Sequence, residues 1–221
     1  MPIDAVFFDL DGTLVDTAPD FHVVVNQLRA EHGLPALAYA PIRATVSDGA
    51  AALVRMALSL TDADAAFEPA RQRLLALYEA QAHQASMPFA GITDTLQWLA
   101  DRNIHWGIVT NKPVRYAEPL MQALNLQPAH AVLLCPDHVT HRKPHPEPLF
   151  RACELTGARP AHSVYVGDHL RDIESGRNAG LKTIAAAYGY VHGDDDAAQW
   201  QAQRIVQSAT ELPALLAQWH H

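Results

Sequence analysis

The chain has 221 residues, 49% of them apolar, enough for one sizeable domain or a domain carrying a smaller insert. A formal charge of −8 with no cluster of Lys or Arg excludes nucleic-acid binding by phosphate neutralisation, so a small anionic substrate must be captured by local groups. Cys135 and Cys153 lack metal-ligand spacing, Met1-Pro2-Ile3-Asp4 places no basic segment before its apolar run, and no run is long enough to span a bilayer; reduced core thiols and a cytoplasmic location, off the membrane, are expected.

The first apolar run, Ala5-Val6-Phe7-Phe8, ends in Asp9-Leu10-Asp11-Gly12-Thr13 and reads as a buried central strand emerging at the polar edge of a sheet. Strand alternation places Asp9 and Asp11 on one side, and two carboxylates so close need a cation or a shared proton. Gly12 allows the sharp turn that follows. Asp16-Thr17-Ala18-Pro19-Asp20 opens a helix predicted to reach Glu31, with Gly33 as its stop. From Thr17 to Ser86 only helical patterns follow, over 41–46, 50–60 and 64–84, as in an all-helical insert.

At Pro88-Phe89-Ala90-Gly91 the pattern changes. Helices are predicted over 93–101, 115–124, 146–156 and 170–179, and strands over 104–110, 131–135, 163–166 and 183–187. This alternation predicts an α/β fold with a doubly wound parallel sheet, its ligand at the carboxyl ends of the strands. The domain boundaries read as a core of residues 1–15 and 87–221 and a helical cap of residues 16–86.

Three later segments bring polar groups to strand ends. Thr110 and Asn111 close one strand with a hydroxyl and an amide suited to phosphate oxygens. Gly167-Asp168 closes another, and Asp172 follows at i+4, a spacing that shares one helix face. Arg142-Lys143-Pro144 lies in a strand-to-helix loop. Asp9-x-Asp11-Gly12-Thr13, Thr110-Asn111, Lys143-Pro144 and Gly167-Asp168-x-x-x-Asp172, in this order, resemble the four motifs of the haloacid dehalogenase superfamily, and the helical insert resembles that superfamily's helical cap. The resemblance covers essentially the whole chain and points to the phosphatase branch.

The resemblance implies a nucleophilic Asp9 that forms an aspartyl phosphate, and Asp11 as acid and then base. It implies Mg²⁺ held by Asp9, the Asp11 backbone and Asp168, with Asp172 in support. Gly12, Thr110, Asn111 and Lys143 would hold the phosphoryl group and offset its charge. Arg43, Ser47, Asp48 and Gly49 resemble the cap loop of phosphoglycolate-phosphatase-like members, with Arg43 suited to a substrate carboxylate and Lys112 a second anion contact. The stretches Val109–Pro113, Tyr116–Met121, Cys135–Val139 and Tyr188–Asp196 resemble bacterial N-acetylmuramic acid 6-phosphate phosphatases. A carboxylated phosphomonoester, either that sugar phosphate or 2-phosphoglycolate, is the implied substrate, acted on by a monomer or homodimer.

His138, His141 and His145 crowd one loop, but no matching thiolate or carboxylate pattern accompanies them, so no transition-metal site is expected there. Asp194-Asp195-Asp196 reads as a solvated loop rather than a cation site. His169 either tunes the site or faces solvent, and the origin of His220-His221, native or tag, is not legible. Two other functions share part of this pattern. A phosphosugar mutase of the same superfamily has the same paired aspartates, and a phospho-accepting signalling domain uses a similar acidic cluster but needs an exposed face rather than a lid. Dinucleotide binding is disfavoured because no G-x-G-x-x-G follows the first strand.

Overall fold

In the computed structural model, which describes residues 2–81, 83–191 and 196–220, the strands in chain order are Ala5–Phe8 (β1), Val15–Asp16 (β2), Met87–Pro88 (β3), His105–Val109 (β4), Val132–Leu134 (β5), Ser163–Gly167 (β6), Lys182–Ala186 (β7) and Arg204–Val206 (β8). Asp194, Asp195 and His221 lie outside the described residues. Six strands form one parallel sheet in the order β5-β4-β1-β6-β7-β8, with Phe8 in register with Ile108 on one side and Val166 on the other. Winding reverses across β1, so the carboxyl ends of β4, β1 and β6 meet where doubly wound sheets bind ligands. The fold is the α/β doubly wound class that the alternating pattern predicts. β2 and β3 pair as a separate two-stranded ribbon.

The helices are Ala18–Glu31 (α1), Tyr39–Thr45 (α2), Gly49–Leu58 (α3), Phe67–Gln81 (α4), Ile92–Ala100 (α5), Val114–Leu124 (α6), Glu147–Thr156 (α7), Leu170–Asn178 (α8) and Leu212–Trp219 (α9). The chain divides into two compact units, Met1–Val15 with Pro88–His221, and Asp16–Met87.

In the sheet-containing unit, β1 is apolar at every position because both its faces are covered. Val6 and Phe8 join a core with Leu96 of α5, Leu120 of α6 and Leu216 of α9; Ala5 and Phe7 join a second core with Leu149 and Cys153 of α7. An unbroken apolar run is what a strand buried on both faces requires. Both cysteines are free and buried, and burial pushes the Cys135 thiol up to about 12 and the Cys153 thiol to about 11, so neither is a nucleophile at neutral pH. His220 accepts a bond from the Ile3 amide at 3.1 Å and ties the end of α9 to the approach of β1.

In the helical unit, Phe21 of α1 stacks on Tyr78 of α4 with ring centroids 4.3 Å apart. Asp20, which the sequence presents as an acid in a first helical turn, is buried. Its carboxylate accepts from the amides of His83, Ala85 and Ser86 at 3.1 Å each and from the Ser86 hydroxyl, fastening the return segment to α1.

Candidate active site

β1 ends at Phe8, one residue before the first acid. Alternation therefore does not govern Asp9 and Asp11, and their carboxylates part company. Asp9 turns into a buried cluster in which one carboxylate oxygen each from Asp9, Asp168 and Asp172 lies within 4.8 Å of the others. The Asp11 carboxylate instead pairs with Lys112, Oδ1 to Nζ 2.9 Å. Asp168 sits in the turn after β6, ahead of α8, so only Asp172 belongs to the helix and the i, i+4 face does not exist as such. Asp172 is drawn toward the turn by the His169 amide, which donates to its Oδ2 at 3.1 Å.

The turn is built by close approach. Gly12 has φ +84, and a Cβ there would lie 2.1 Å from Asp168 Oδ2. At Gly189 a Cβ would lie 2.3 Å from both the Asp168 Cβ and the Gly12 carbonyl oxygen. Only glycine lets these backbones close on the Asp168 carboxylate. That carboxylate accepts from the Thr13 hydroxyl at 2.8 Å and from the Tyr190 amide at 3.0 Å.

Lys143 is the sole ammonium the cluster receives among the described residues, and it is buried. Its Nζ lies 3.0 Å from Asp9 Oδ1 and 2.8 Å from Asp172 Oδ1, and donates to the Val109 carbonyl at 3.0 Å and the Tyr165 hydroxyl at 2.8 Å. Tyr165, in the middle of β6, donates its own proton to the Val109 carbonyl at 2.7 Å. Burial, then the charges of Asp172 and Asp9, hold the Tyr165 phenol well above its usual range, so it keeps that proton. Tyr165 is the functional residue that strand reading misses. An aromatic in a central strand looks like core, and its hydroxyl is the one signal that it also needs a polar partner.

Asn111 donates one of its two amide N–H bonds to the Lys143 carbonyl at 3.1 Å, which pins the lysine loop. Its Oδ1 is buried and unpartnered among the described residues. Thr110 accepts from the Lys112 amide at 3.1 Å, which leaves its hydroxyl proton to be donated. His169 caps α8, its Nδ1 accepting from the Arg171 amide at 3.2 Å. Asp196 likewise caps the turn at Ala197–Gln199. Arg43, in the last turn of α2, Ser47 and Asp48, in the turn that follows, and Gly49, the first residue of α3, share one short segment of the helical unit.

The electrostatics ask for a cation. Burial raises the Asp9 carboxyl, but Lys143 and then Arg171 outweigh it and leave Asp9 below its usual value, ionised at neutral pH. Burial, reinforced by Asp9 and Asp172, lifts Asp168 to about 7, and burial raises Asp172 despite Lys143. Three buried carboxylates, all hard oxygen donors, against the Lys143 ammonium and the Arg171 guanidinium still suit a divalent cation of the oxygen-preferring class.

One parallel sheet thus carries an acid just past the end of β1, a lysine from a loop and two acids after β6. Residues 6–186 match the haloacid dehalogenase-like hydrolases, and the chain belongs to that family. Over 212 residues it is 48% identical to the N-acetylmuramic acid 6-phosphate phosphatase of Pseudomonas aeruginosa, covering 96% of this chain and 94% of that one. Over 208 residues it is 42% identical to a phosphoglycolate phosphatase of Xanthomonas campestris, covering 94% of each. The crystal structure of a predicted phosphoglycolate phosphatase from Haemophilus somnus shares the fold at a TM-score of 0.84 and 24% identity, covering 96% of this chain and 97% of that one.

Proposed function

We propose that the protein is a Mg²⁺-dependent phosphatase that hydrolyses a carboxylated phosphomonoester, N-acetylmuramic acid 6-phosphate before 2-phosphoglycolate, through an aspartyl phosphate on Asp9. The carrying observation is the buried cluster: an ionised Asp9 beside Asp168 and Asp172, with Lys143 bridging two of the three. The names of the relatives at 48% and 46% identity support the sugar phosphate as substrate. No helix of the described residues is long and apolar enough to cross a membrane, and we place the enzyme in the cytoplasm with a small phosphorylated metabolite as its partner.

The chain's own groups divide the work. Asp9 Oδ1 is tied by the Leu10 amide at 2.7 Å and by Lys143, which leaves Oδ2 to attack phosphorus in line. Asp11 gives a proton to the leaving oxygen and then takes one from the water that breaks the acyl phosphate, while Lys112 offsets its charge once it is ionised. Lys143 and the Thr110 hydroxyl stabilise charge on the transferring group, which needs little from the protein beyond positioning and electrostatics. Asp9, Asp168 and the Asp11 backbone carbonyl would hold Mg²⁺, supported by Asp172, and the ion would supply positive charge to phosphoryl oxygens. Arg43 is assigned the substrate carboxylate, with Ser47, Asp48 and Gly49 beside it.

Phosphate release with Mg²⁺ tests this, comparing kcat/KM for N-acetylmuramic acid 6-phosphate, N-acetylglucosamine 6-phosphate and 2-phosphoglycolate. The muramic sugar should lead, and Arg43→Ala should narrow its advantage over the glucosamine analogue. Asp9→Asn should abolish turnover with an unchanged circular dichroism spectrum. Substantial residual turnover in that folded variant would remove Asp9 as nucleophile.

A further inference from the structure

On the surface of the sheet-containing unit, the loop that delivers Lys143 gathers a second group of metal-type ligands. His141, His145 and Glu147 each offer one ligand atom, and these three atoms lie within 4.8 Å of one another. Glu147 is the carboxylate that a search for histidine spacing overlooks, because it belongs to the first turn of α7 rather than to the loop. His138 does not join them; its Nδ1 faces the Cys135 amide at 3.1 Å.

The arrangement is held from several sides. The His145 amide donates to the Arg142 carbonyl at 3.0 Å and closes a turn that returns His145 onto His141, with ring centroids 4.5 Å apart. The Ser175 hydroxyl of α8 donates to the His145 carbonyl at 3.0 Å. Glu147 accepts from the Thr140 amide at 2.7 Å and the His141 amide at 2.9 Å. Those amide bonds account for Glu147 as a clasp on the preceding loop, but not for two imidazoles converging on it. Pro144, Pro146 and Pro148 restrict the backbone throughout. A donor set held before binding loses little freedom when an ion arrives.

We propose that His141, His145 and Glu147 form a binding site for a transition-metal dication of the zinc class, separate from the buried carboxylates. His141 Nδ1 and Glu147 Oε2 are 2.9 Å apart, a hydrogen-bond spacing that must open by about half an ångström to reach the roughly 3.4 Å between two ligands of a tetrahedral ion at about 2.1 Å from each. The ion takes the place of the hydrogen between them, and the His141 proton moves to Nε2, so the neutral ring is kept. His145 supplies the third ligand through a ring nitrogen, and the 3.2 Å bond that its Nδ1 accepts from the Glu147 amide places the ring against Glu147. Two imidazoles and a carboxylate select zinc, nickel or copper over magnesium. The His141 side chain is 60% exposed, so the fourth position is open to water and the ion has a route in. The loop lines an open hollow of about 550 Å³ with Thr140, Arg142 and Asn178.

Calorimetric titration of the full chain with ZnCl₂, in excess MgCl₂ so that the buried acids are occupied, decides the matter together with ¹H–¹⁵N NMR of the same titration. One equivalent should bind with a Kd on the order of 10 µM, weaker than four-ligand structural sites. Shifts should centre on residues 140–147. His141→Ala should weaken binding about tenfold or more, whereas Asp168→Asn should leave it unchanged. If His141→Ala fails to fold by circular dichroism, His145→Gln replaces it. Retention of the site in the histidine variant, its loss in Asp168→Asn, or no heat and no shifts at about 1 mM zinc overturns the proposal.

Discussion

Tyr165→Phe removes one oxygen from beneath Lys143 and keeps the ring that fills the core, so it isolates the hydroxyl's part in placing the ammonium. In the native site the three N–H bonds of Lys143 face four acceptors: Asp9, Asp172, the Val109 carbonyl and the Tyr165 hydroxyl. Deleting the hydroxyl leaves three acceptors for three donors, and the Val109 carbonyl still receives Lys143. No buried group is orphaned. The loss is therefore one bond to a charged donor and one neutral bond, partly recovered by tightening of the others, or about 1–2 kcal/mol rather than the larger penalty for an unpaired buried charge. For a chain of this length that lowers Tm by about 2–8 °C. A shift of the ammonium toward the carboxylates weakens its hold on the transferring group, and kcat should fall about three- to tenfold, with KM changing less. Thermal melts by circular dichroism and steady-state phosphate release measure both, and Tyr165→Leu, which also opens a cavity, should lose clearly more stability. A lowered Tm with kcat unchanged would show that the carboxylates alone place Lys143, and Tyr165 would then be only a core residue.

Gly12→Ala should disable the acidic cluster, because its Cβ meets Asp168 Oδ2 at 2.1 Å and its φ of +84 disfavours any side chain; the Mg²⁺ concentration for half-maximal activity should rise at least about tenfold, and wild-type dependence would contradict the geometry. Asp20→Ala strips the partner from three amides and the Ser86 hydroxyl and should destabilise the protein by about 3–5 kcal/mol in urea unfolding; a loss under about 1 kcal/mol would mean that water replaces the carboxylate. Arg159 grips Asp4 through Nε at 2.7 Å and Nη2 at 2.8 Å, and its side-chain hydrogen bonds hold the carboxyl down from 3.8 to about 2. A depressed carboxyl contributes stability that is present above pH 3.8 and is lost as pH falls through about 2. Asp4→Asn should therefore lose up to about 1 kcal/mol at pH 7, the modest amount a partly exposed pair provides, and the difference should close between pH 3.8 and about 2. A gap that persists below pH 2 would assign the effect to something other than the ion pair.

Period and punctuation carried the helices and the parallel strands from Ala5 to Ala186, though not the two-residue β2 and β3, because a strand buried on both faces must be continuously apolar and a helix between such strands must be amphipathic. The edge strand β8 and the helix α9 escaped. β8 is only three residues, with Arg204 and Ile205 exposed, and so shows neither alternation nor an apolar run. Four motifs in order singled out Asp9, Asp11, Thr110, Lys143, Asp168 and Asp172, since an acid, a hydroxyl or a lysine at a strand end is a local feature, and the structure brings Asp9, Lys143, Asp168 and Asp172 together. Which of them touch was not local. β1 stops at Phe8, and the chain beyond it sends Asp9 toward Lys143 and Asp11 toward Lys112. The Asn111 amide turned out to hold a backbone carbonyl, and Tyr165 to hold an ammonium. Residue types and their order along the chain follow from the sequence because propensity and hydrophobic period act over a few neighbours. The pairing of charges arises only when β4, β1 and β6 lie side by side, and burial there makes the choice of partner strong enough to matter.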